Sequence, residues 1–505
     1  MLFLKTKPLF TTALLLASLL ACVNEPVLTP IHSAANARLA ATDDQVPIIR
    51  KGRYVLMSTN QLPATLTADV AKVNGRIGTL MSGLGLATAT SDDPDFATKA
   101  ARIPGIEVVV PEVLSLRTTP HDERTKKATP QIQAINPPNS TNTNPLFNRQ
   151  WGLDAVNAPE AWQAGYTGAG VRVAVLSGGF DLDHPDLMGN IEFSKSFVPG
   201  EGAGFPDEFS FSSGSQAAGI IAAMDNNIGI VGVAPEAKLL LYKVAGDYSF
   251  FFPDSWAWQA IVDAVDHQAD VIHLDIISNF SRNGDSFYND NGTPTDISDD
   301  YMETNPKLVQ YYVSMWNRVT SWARQQGATL VAPIAFWGES TKYKSSINAV
   351  SGSPNVIGVA ATTPIGWAVD PTASLDQIPF YANPGTYDVM LAGPGGTIEY
   401  FFEHPDSECT LAGETAPCAL FDSIISTGNG SSAGGDYNLV YGTGVAAAHV
   451  AGVAALIIGK NGGQMDPARV EAVLKATADD IGKPGRDAYT GFGRVDAAKA
   501  VGAGL

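Results

Sequence analysis

The stretch VRVAVLSGGFDLDHPDL (171–187) decides the fold. It opens on Val171, Val173, Ala174, Val175 and Leu176, a near-continuous apolar run of the kind found in strands buried on both faces. Similar runs recur at 239–244, 270–277, 329–335 and 356–361. Between and after them lie helical patterns at 254–268, 308–325, 443–458 and 466–476. The last of these starts Asp466-Pro467, an N-cap followed by proline at the first helical position. Strands alternating with helices predict an α/β domain, a parallel sheet with helices on both faces, over 149–505. Insertions interrupt the scheme at about 281–306 and 396–422.

Working outward, residues 52–116 read as a small α/β unit. Strand-like runs at 53–57 and 106–110 flank helix-like patterns at 67–73 and 93–101. Residues 117–148 are rich in Thr, Pro and Asn and read as a linker; 22–51 read as a tether. Residues 1–21 read as an export signal: Lys5 and Lys7 precede an apolar run at 9–20 too short for a stable membrane span. The run ends Leu19-Leu20-Ala21-Cys22, which resembles a bacterial lipoprotein signal and implies lipidation at Cys22. The chain is then expected to be exported and held on a bacterial cell membrane or outer envelope.

Of the 505 residues, 45% are hydrophobic and 16% charged, a balance that suits a buried globular core. A net charge of −19 argues against a nucleic-acid partner. Three cysteines are present. Apart from Cys22 they are Cys409 and Cys418, and in an oxidising compartment a local disulfide is the natural reading. No His/Cys cluster has zinc spacing, so no metal is expected there. Asp290, Asp296, Asp299 and Asp300 in the first insertion offer carboxylates for Ca²⁺, but their spacing fits no calcium-loop signature. A solvated acidic loop is the expectation. The aromatic run from Tyr248 to Trp258 suits either an exposed partner patch or burial against the sheet.

From 149 onward the chain resembles the subtilisin-like serine peptidases, the subtilases. The stretches that carry the resemblance are WGLDAVNAPEAW (151–162), the segment 171–187, SGSQAAGIIAA (213–223) and GVAPEAKLLLYKV (232–244). They continue with YGTGVAAAHVAGVAALI (441–457) and GFGRVDAAKAV (491–501). The unit at 52–116 resembles the subtilase propeptide, through Gly85-Leu86-Ala87 and PGIEVVVPE (104–112). The resemblance implies a subtilisin-like sheet preceded by an inhibitor-type prodomain.

Serine peptidase chemistry needs a nucleophile, a base to take its proton and a carboxylate to orient that base. By the resemblance, Ser177 occupies the carboxylate position, Ser213 the base position and Gly444 the nucleophile position. Phe336 falls at the oxyanion asparagine. In the cleft strand, Asp275, Ile276 and Ile277 depart from the family pattern, with Ile277 in place of a glycine. Pro333 and Ile334 face it and are expected to narrow the first specificity pocket. Of seven histidines, His273 alone lies near the cleft strand as a replacement base, and a buried structural histidine is the expectation for it. The sequence therefore leads to the expectation of a non-catalytic pseudoprotease, not an enzyme, that binds or scaffolds a protein or peptide partner. The second reading is a serine endopeptidase with residual or rearranged activity.

Overall fold

A computed structural model describes residues 47–117, 121–122, 142–206, 211–247, 249, 251–281, 287–291, 293, 297–334, 346–384, 388–411, 413–430 and 435–503. The expectations for Cys22, Phe336 and Asp296 fall outside the described residues.

The apolar runs pair into a seven-stranded sheet. Its order is Leu391–Pro394, Val356–Thr362, Thr329–Pro333, Val271–Leu274, Arg172–Ser177, Lys238–Lys243, Ile191–Ser196. Every neighbouring pair is parallel. Successive side chains of a strand face opposite ways. Thus Val173 and Val175 enter one core with the helices Ser213–Ala222 and Thr443–Lys460. Ala174 and Leu176 enter the other, with helices Asp254–Asp266 and Pro306–Gln325. Helix Thr443–Lys460 is long and apolar enough to cross a membrane, yet it is buried along its length as the central core helix. The expected α/β architecture, a parallel sheet with helices on both faces, is thereby established.

The N-terminal unit contains the antiparallel strands Ile48–Ser58, Arg76–Met81, Leu86–Thr90 and Ile106–Arg117. Helices Leu66–Lys72 and Phe96–Ala100 cover one face, packing Leu66, Val70 and Phe96 on Leu56, Ala87 and Ala89. The other face, with Val55, Met57, Leu86, Val108 and Val110, shares a core with Trp258, Tyr312 and Trp316 of the body. Of the aromatic run, Phe251, Phe252 and Trp258 lie in the interior and Trp256 is half-buried, while Tyr248 and Phe250 fall outside the described residues.

Some boundaries differ from the reading of the sequence. The 270–277 run is not one strand. Val271–Leu274 belongs to the parallel sheet, whereas Ile276–Ile277 pairs with Ile106–Arg117 of the N-terminal unit. The break is Asp275, whose N–H donates to the Leu176 carbonyl at 3.0 Å while its side chain turns to Ser177. The first strand starts at Ile48, inside the segment read as tether. The segment read as linker holds a short strand, His121–Asp122, and the buried Phe147 near its end. Cys409 and Cys418 form a disulfide across the hairpin of Glu408–Leu411 and Glu414–Pro417.

Candidate functional site

Strand Arg172–Ser177 lies at a branch point of the sheet. The strands that follow it, Ile191–Ser196 and Lys238–Lys243, are laid down on one side; Val271–Leu274 and all later ones lie on the other. In an open parallel sheet such a reversal leaves a crevice beyond the carboxyl ends of the strands, where ligands bind.

Three polar side chains meet in that crevice. Ser177 is the last residue of its strand. Ser213 opens the helix Ser213–Ala222, whose start is tied to the strand end by the N-cap Ser212. The Ser212 hydroxyl donates to the Gly179 carbonyl at 2.6 Å and accepts from the Ser215 N–H at 3.2 Å. Asp275 follows the neighbouring strand. Ser177 Oγ donates to Asp275 Oδ2 at 2.8 Å and lies 2.9 Å from Ser213 Oγ. A hydroxyl has one proton, so with that of Ser177 on Asp275, Ser213 is the donor in the second bond. The result is a directed chain, Ser213 to Ser177 to the Asp275 carboxylate. All three residues are buried.

Gly444 stands second in helix Thr443–Lys460. The helix is entered through Gly442, whose φ of 146° suits only glycine. Thr443 Oγ1 donates to the Ile334 carbonyl at 2.8 Å, fixing the helix start to the end of strand Thr329–Pro333. The first-turn amides of the helix, Gly444 among them, have no acceptor within it. Of the residues expected to line the cleft, Asp275 and the backbone of Ile276–Ile277 do border the crevice. The side chains of Ile276 and Ile334 do not: Ile276 joins the core under the N-terminal unit, and Ile334 packs with Ala360, Val389 and Ala392.

His273 is fully buried, and neither ring nitrogen has a hydrogen-bond partner among the described residues. Burial pushes its pKa down to about 3, which keeps the imidazole neutral. His449 is likewise neutral, pushed down to about 4 by burial against a weaker opposing bond to the Val445 carbonyl. His184 holds the Asp436 carbonyl at 3.0 Å and accepts from the Asp186 N–H at 3.1 Å, a structural role. Asp181 is directed at the Gly430 N–H, and burial with the nearby Asp183 raises its pKa to about 7.

Two short backbone pairings flank the crevice. Leu116 and Arg117 pair antiparallel with Ile277 and Ile276, just beyond Asp275. His121 and Asp122 pair antiparallel with Tyr441 and Val440, just before Gly442. The first pairing lies on the strand edge beside Asp275, the second on the edge that leads into helix Thr443–Lys460.

The family model described as Subtilase family matches residues 168–493. The chain belongs to the subtilases. This subtilase is 30% identical over 338 residues to subtilisin E of Bacillus subtilis (strain 168), a match spanning 66% of each chain. It is 40% identical over 127 residues to the major intracellular serine protease of the same organism, covering 25% of this chain and 40% of that one. Among solved structures it resembles fervidolysin from Fervidobacterium pennivorans, a keratinolytic enzyme related to subtilisin. The TM-score is 0.65 at 23% identity, over 90% of this chain and 62% of that one. It also resembles the epidermin leader peptide processing serine protease of Staphylococcus aureus, with TM-score 0.65 at 19% identity, over 90% and 98% of the two chains. The expectation that this subtilase is not an enzyme is corrected here, because it conflicts with membership of a family whose matched members are serine proteases. Asp275, expected from the sequence only to line the cleft, places a carboxylate against Ser177. That contact was signalled only by an acidic residue at the end of an apolar run.

Proposed function

We propose that this subtilase is a serine-type endopeptidase with a rearranged centre, in which Ser213 is the nucleophile, Ser177 relays its proton and Asp275 receives it. The single observation behind this reading is the Ser213–Ser177–Asp275 chain of hydrogen bonds in the crevice. In this mechanism Ser213 Oγ forms a bond to the substrate carbonyl carbon. Its proton passes to Ser177 Oγ while the Ser177 proton passes to Asp275. The oxyanion lies against free amides at the start of helix Thr443–Lys460, so Gly444 contributes a backbone N–H where it has no side chain. Collapse of the intermediate breaks the peptide bond, and the leaving amine takes the proton back from Asp275 through Ser177. Water then hydrolyses the ester by the same path in reverse. A carboxylate is a weaker base than an imidazole, and turnover is expected to be slow.

In the same reading Ser177, Ser213 and Gly444 replace the family's usual acid, base and nucleophile. The unit at 52–116 acts as a propeptide whose continuation is held at both edges of the crevice, as the pairing of 116–117 and 121–122 supports. A lipid on Cys22 would hold the enzyme at the cell envelope, which the lipoprotein-like ending of the export signal supports.

Fluorophosphonate labelling of the purified chain, peptide mapping and casein turnover test the proposal. Label is expected on Ser213, with Ser213→Ala abolishing both label and turnover and Asp275→Asn lowering both at least about tenfold. A wild-type chain that takes no label and releases no casein fragments would refute it.

A further inference from the structure

The first insertion does more than decorate the body. Its strands Phe287–Asn289 and Tyr301–Glu303 form an antiparallel hairpin. The hairpin is rooted in the body: Phe287 is buried, with its ring 5.9 Å from that of Phe280, which in turn lies 5.8 Å from Tyr312. Glu303 accepts from Asn289 at 2.7 Å and from Asn305 at 3.0 Å. Asn305 is the N-cap of helix Pro306–Gln325, with Oδ1 3.1 Å from the Leu308 N–H.

From that root the hairpin reaches the N-terminal unit. Strand Phe287–Asn289 pairs in parallel with the start of strand Ile48–Ser58, Ile48 opposite Tyr288 and Ile49 opposite Asn289. The Tyr288 N–H donates to the Pro47 carbonyl at 3.0 Å, and the Asp290 N–H to the Ile49 carbonyl at 3.2 Å. Asp290 Oδ1 accepts the Lys51 N–H at 3.0 Å, and Lys51 Nζ reaches Asn291 Oδ1 at 3.3 Å. Ile48 closes a small apolar cluster with Leu114, Phe251 and Tyr288. The N-terminal sheet therefore continues without a break into the body's insertion.

We propose that this hairpin is a receptor edge for segment 47–51, and that this contact, added to the shared core, slows the departure of the N-terminal unit once the connection at 117–148 is cut. Such retention is independent of who makes the cut and of any catalytic activity. A parallel pairing needs no continuous chain between its partners, and Phe280, Tyr312 and Asn305, which support the hairpin, lie in the body. The occupant is defined by register: carbonyls of Pro47 and Ile49 toward the hairpin, and the amide of Lys51 on a buried carboxylate.

The test places a site-specific protease sequence within 123–141 of the exported chain. After cutting, fragment release is followed by gel filtration and intact mass. The two fragments are expected to co-elute. Tyr288→Pro combined with Asp290→Ala removes two hydrogen bonds of ordinary strength and should speed release about a hundredfold. Asp290→Ala alone should speed it about tenfold. Uncut variants must keep the wild-type helical circular dichroism. Should the double variant fail that control, deletion of residues 23–49 leaves the hairpin intact and must give the same rapid release. Immediate separation of the wild-type fragments, or equal release rates in wild type and variants, would overturn the proposal.

Discussion

The substitution Asp254→Asn probes the electrostatic cost of a carboxyl buried in the joint between the two units. Asp254 opens helix Asp254–Asp266 and is fully buried. Its Oδ2 accepts from Trp316 Nε1 at 3.0 Å and Ser278 Oγ at 3.2 Å. Glu112 of the N-terminal unit, itself bonded to Ser255 Oγ at 2.7 Å, is a second buried carboxyl nearby. Burial raises the Asp254 pKa from 3.8 to about 7; the donors oppose the rise, and the Glu112 charge adds to it. A carboxyl whose pKa is higher in the folded than in the unfolded state binds more protons when folded. Stability is then full below pH 3.8 and falls as pH rises, until the group has ionised in both states above about 7. Between pH 5 and pH 9 the fall spans the two pH units up to about 7, or about 3 kcal/mol. Asparagine keeps an acceptor for Trp316 and Ser278 but does not titrate. Urea unfolding of wild type and Asp254→Asn at both pH values should show the variant gaining about 3 kcal/mol on wild type between pH 5 and pH 9. Because this is a difference of differences, hydrogen bonds lost equally at both pH values cancel, as do the other titrating groups. A stability gap between the two proteins that does not change with pH would refute the reasoning.

Two further substitutions test packing around the sheet. Gly232→Ala would set a Cβ 2.5 Å from the backbone nitrogens of Ala222 and Ala223, at the end of helix Ser213–Ala222. Backbone cannot yield as a side chain does, so a loss of about 3 kcal/mol is expected in urea unfolding; a loss near zero would mean that this loop does not close on the helix. Lys243 is fully buried, 2.9 Å from Glu201 and paired with Asp247. Lys243→Met leaves two carboxylates without their shared cation and should cost about 3 kcal/mol at pH 7. Most of that loss should be recovered when Glu201→Gln and Asp247→Asn are added, and thermal melts of the single and triple variants check it.

The fold was legible because its strands are buried on both faces, which leaves apolar runs too dense to read otherwise. Val173 and Ala174 go to different cores, yet both must be apolar. Helix starts were legible where capping is local: Asp466 does accept the Ala468 N–H at 2.8 Å ahead of Pro467. What escaped reading forms by contact at an edge. His121–Asp122 is a strand because Val440 and Tyr441 offer it partners, and nothing in its own residues favours one. The hairpin at 287–303 has strands of three residues, too short to show alternation. In the 270–277 run, Asp275 is the acidic interruption near the end. Its meaning, a change of sheet, depends on the strand Ile106–Arg117 more than a hundred and fifty positions earlier.

The same distinction explains the site. Ser213 is brought beside Ser177 by its neighbour Ser212, which caps the helix and donates to the Gly179 carbonyl just past the strand end. Their chemistry depends on a third group, which arrives through register. Leu274 lies opposite Leu176, so the next residue on each strand, Asp275 and Ser177, stands at the same level at the mouth of the sheet. The Asp275 N–H is anchored on the Leu176 carbonyl, and from there its carboxylate reaches Ser177. A slip of one residue in that pairing would turn the carboxylate to the opposite face and leave two serines with no proton acceptor. The hydrogen-bond chain is thus a property of how two strands align, and Asp275→Asn tests the proton path proposed for it without altering that alignment.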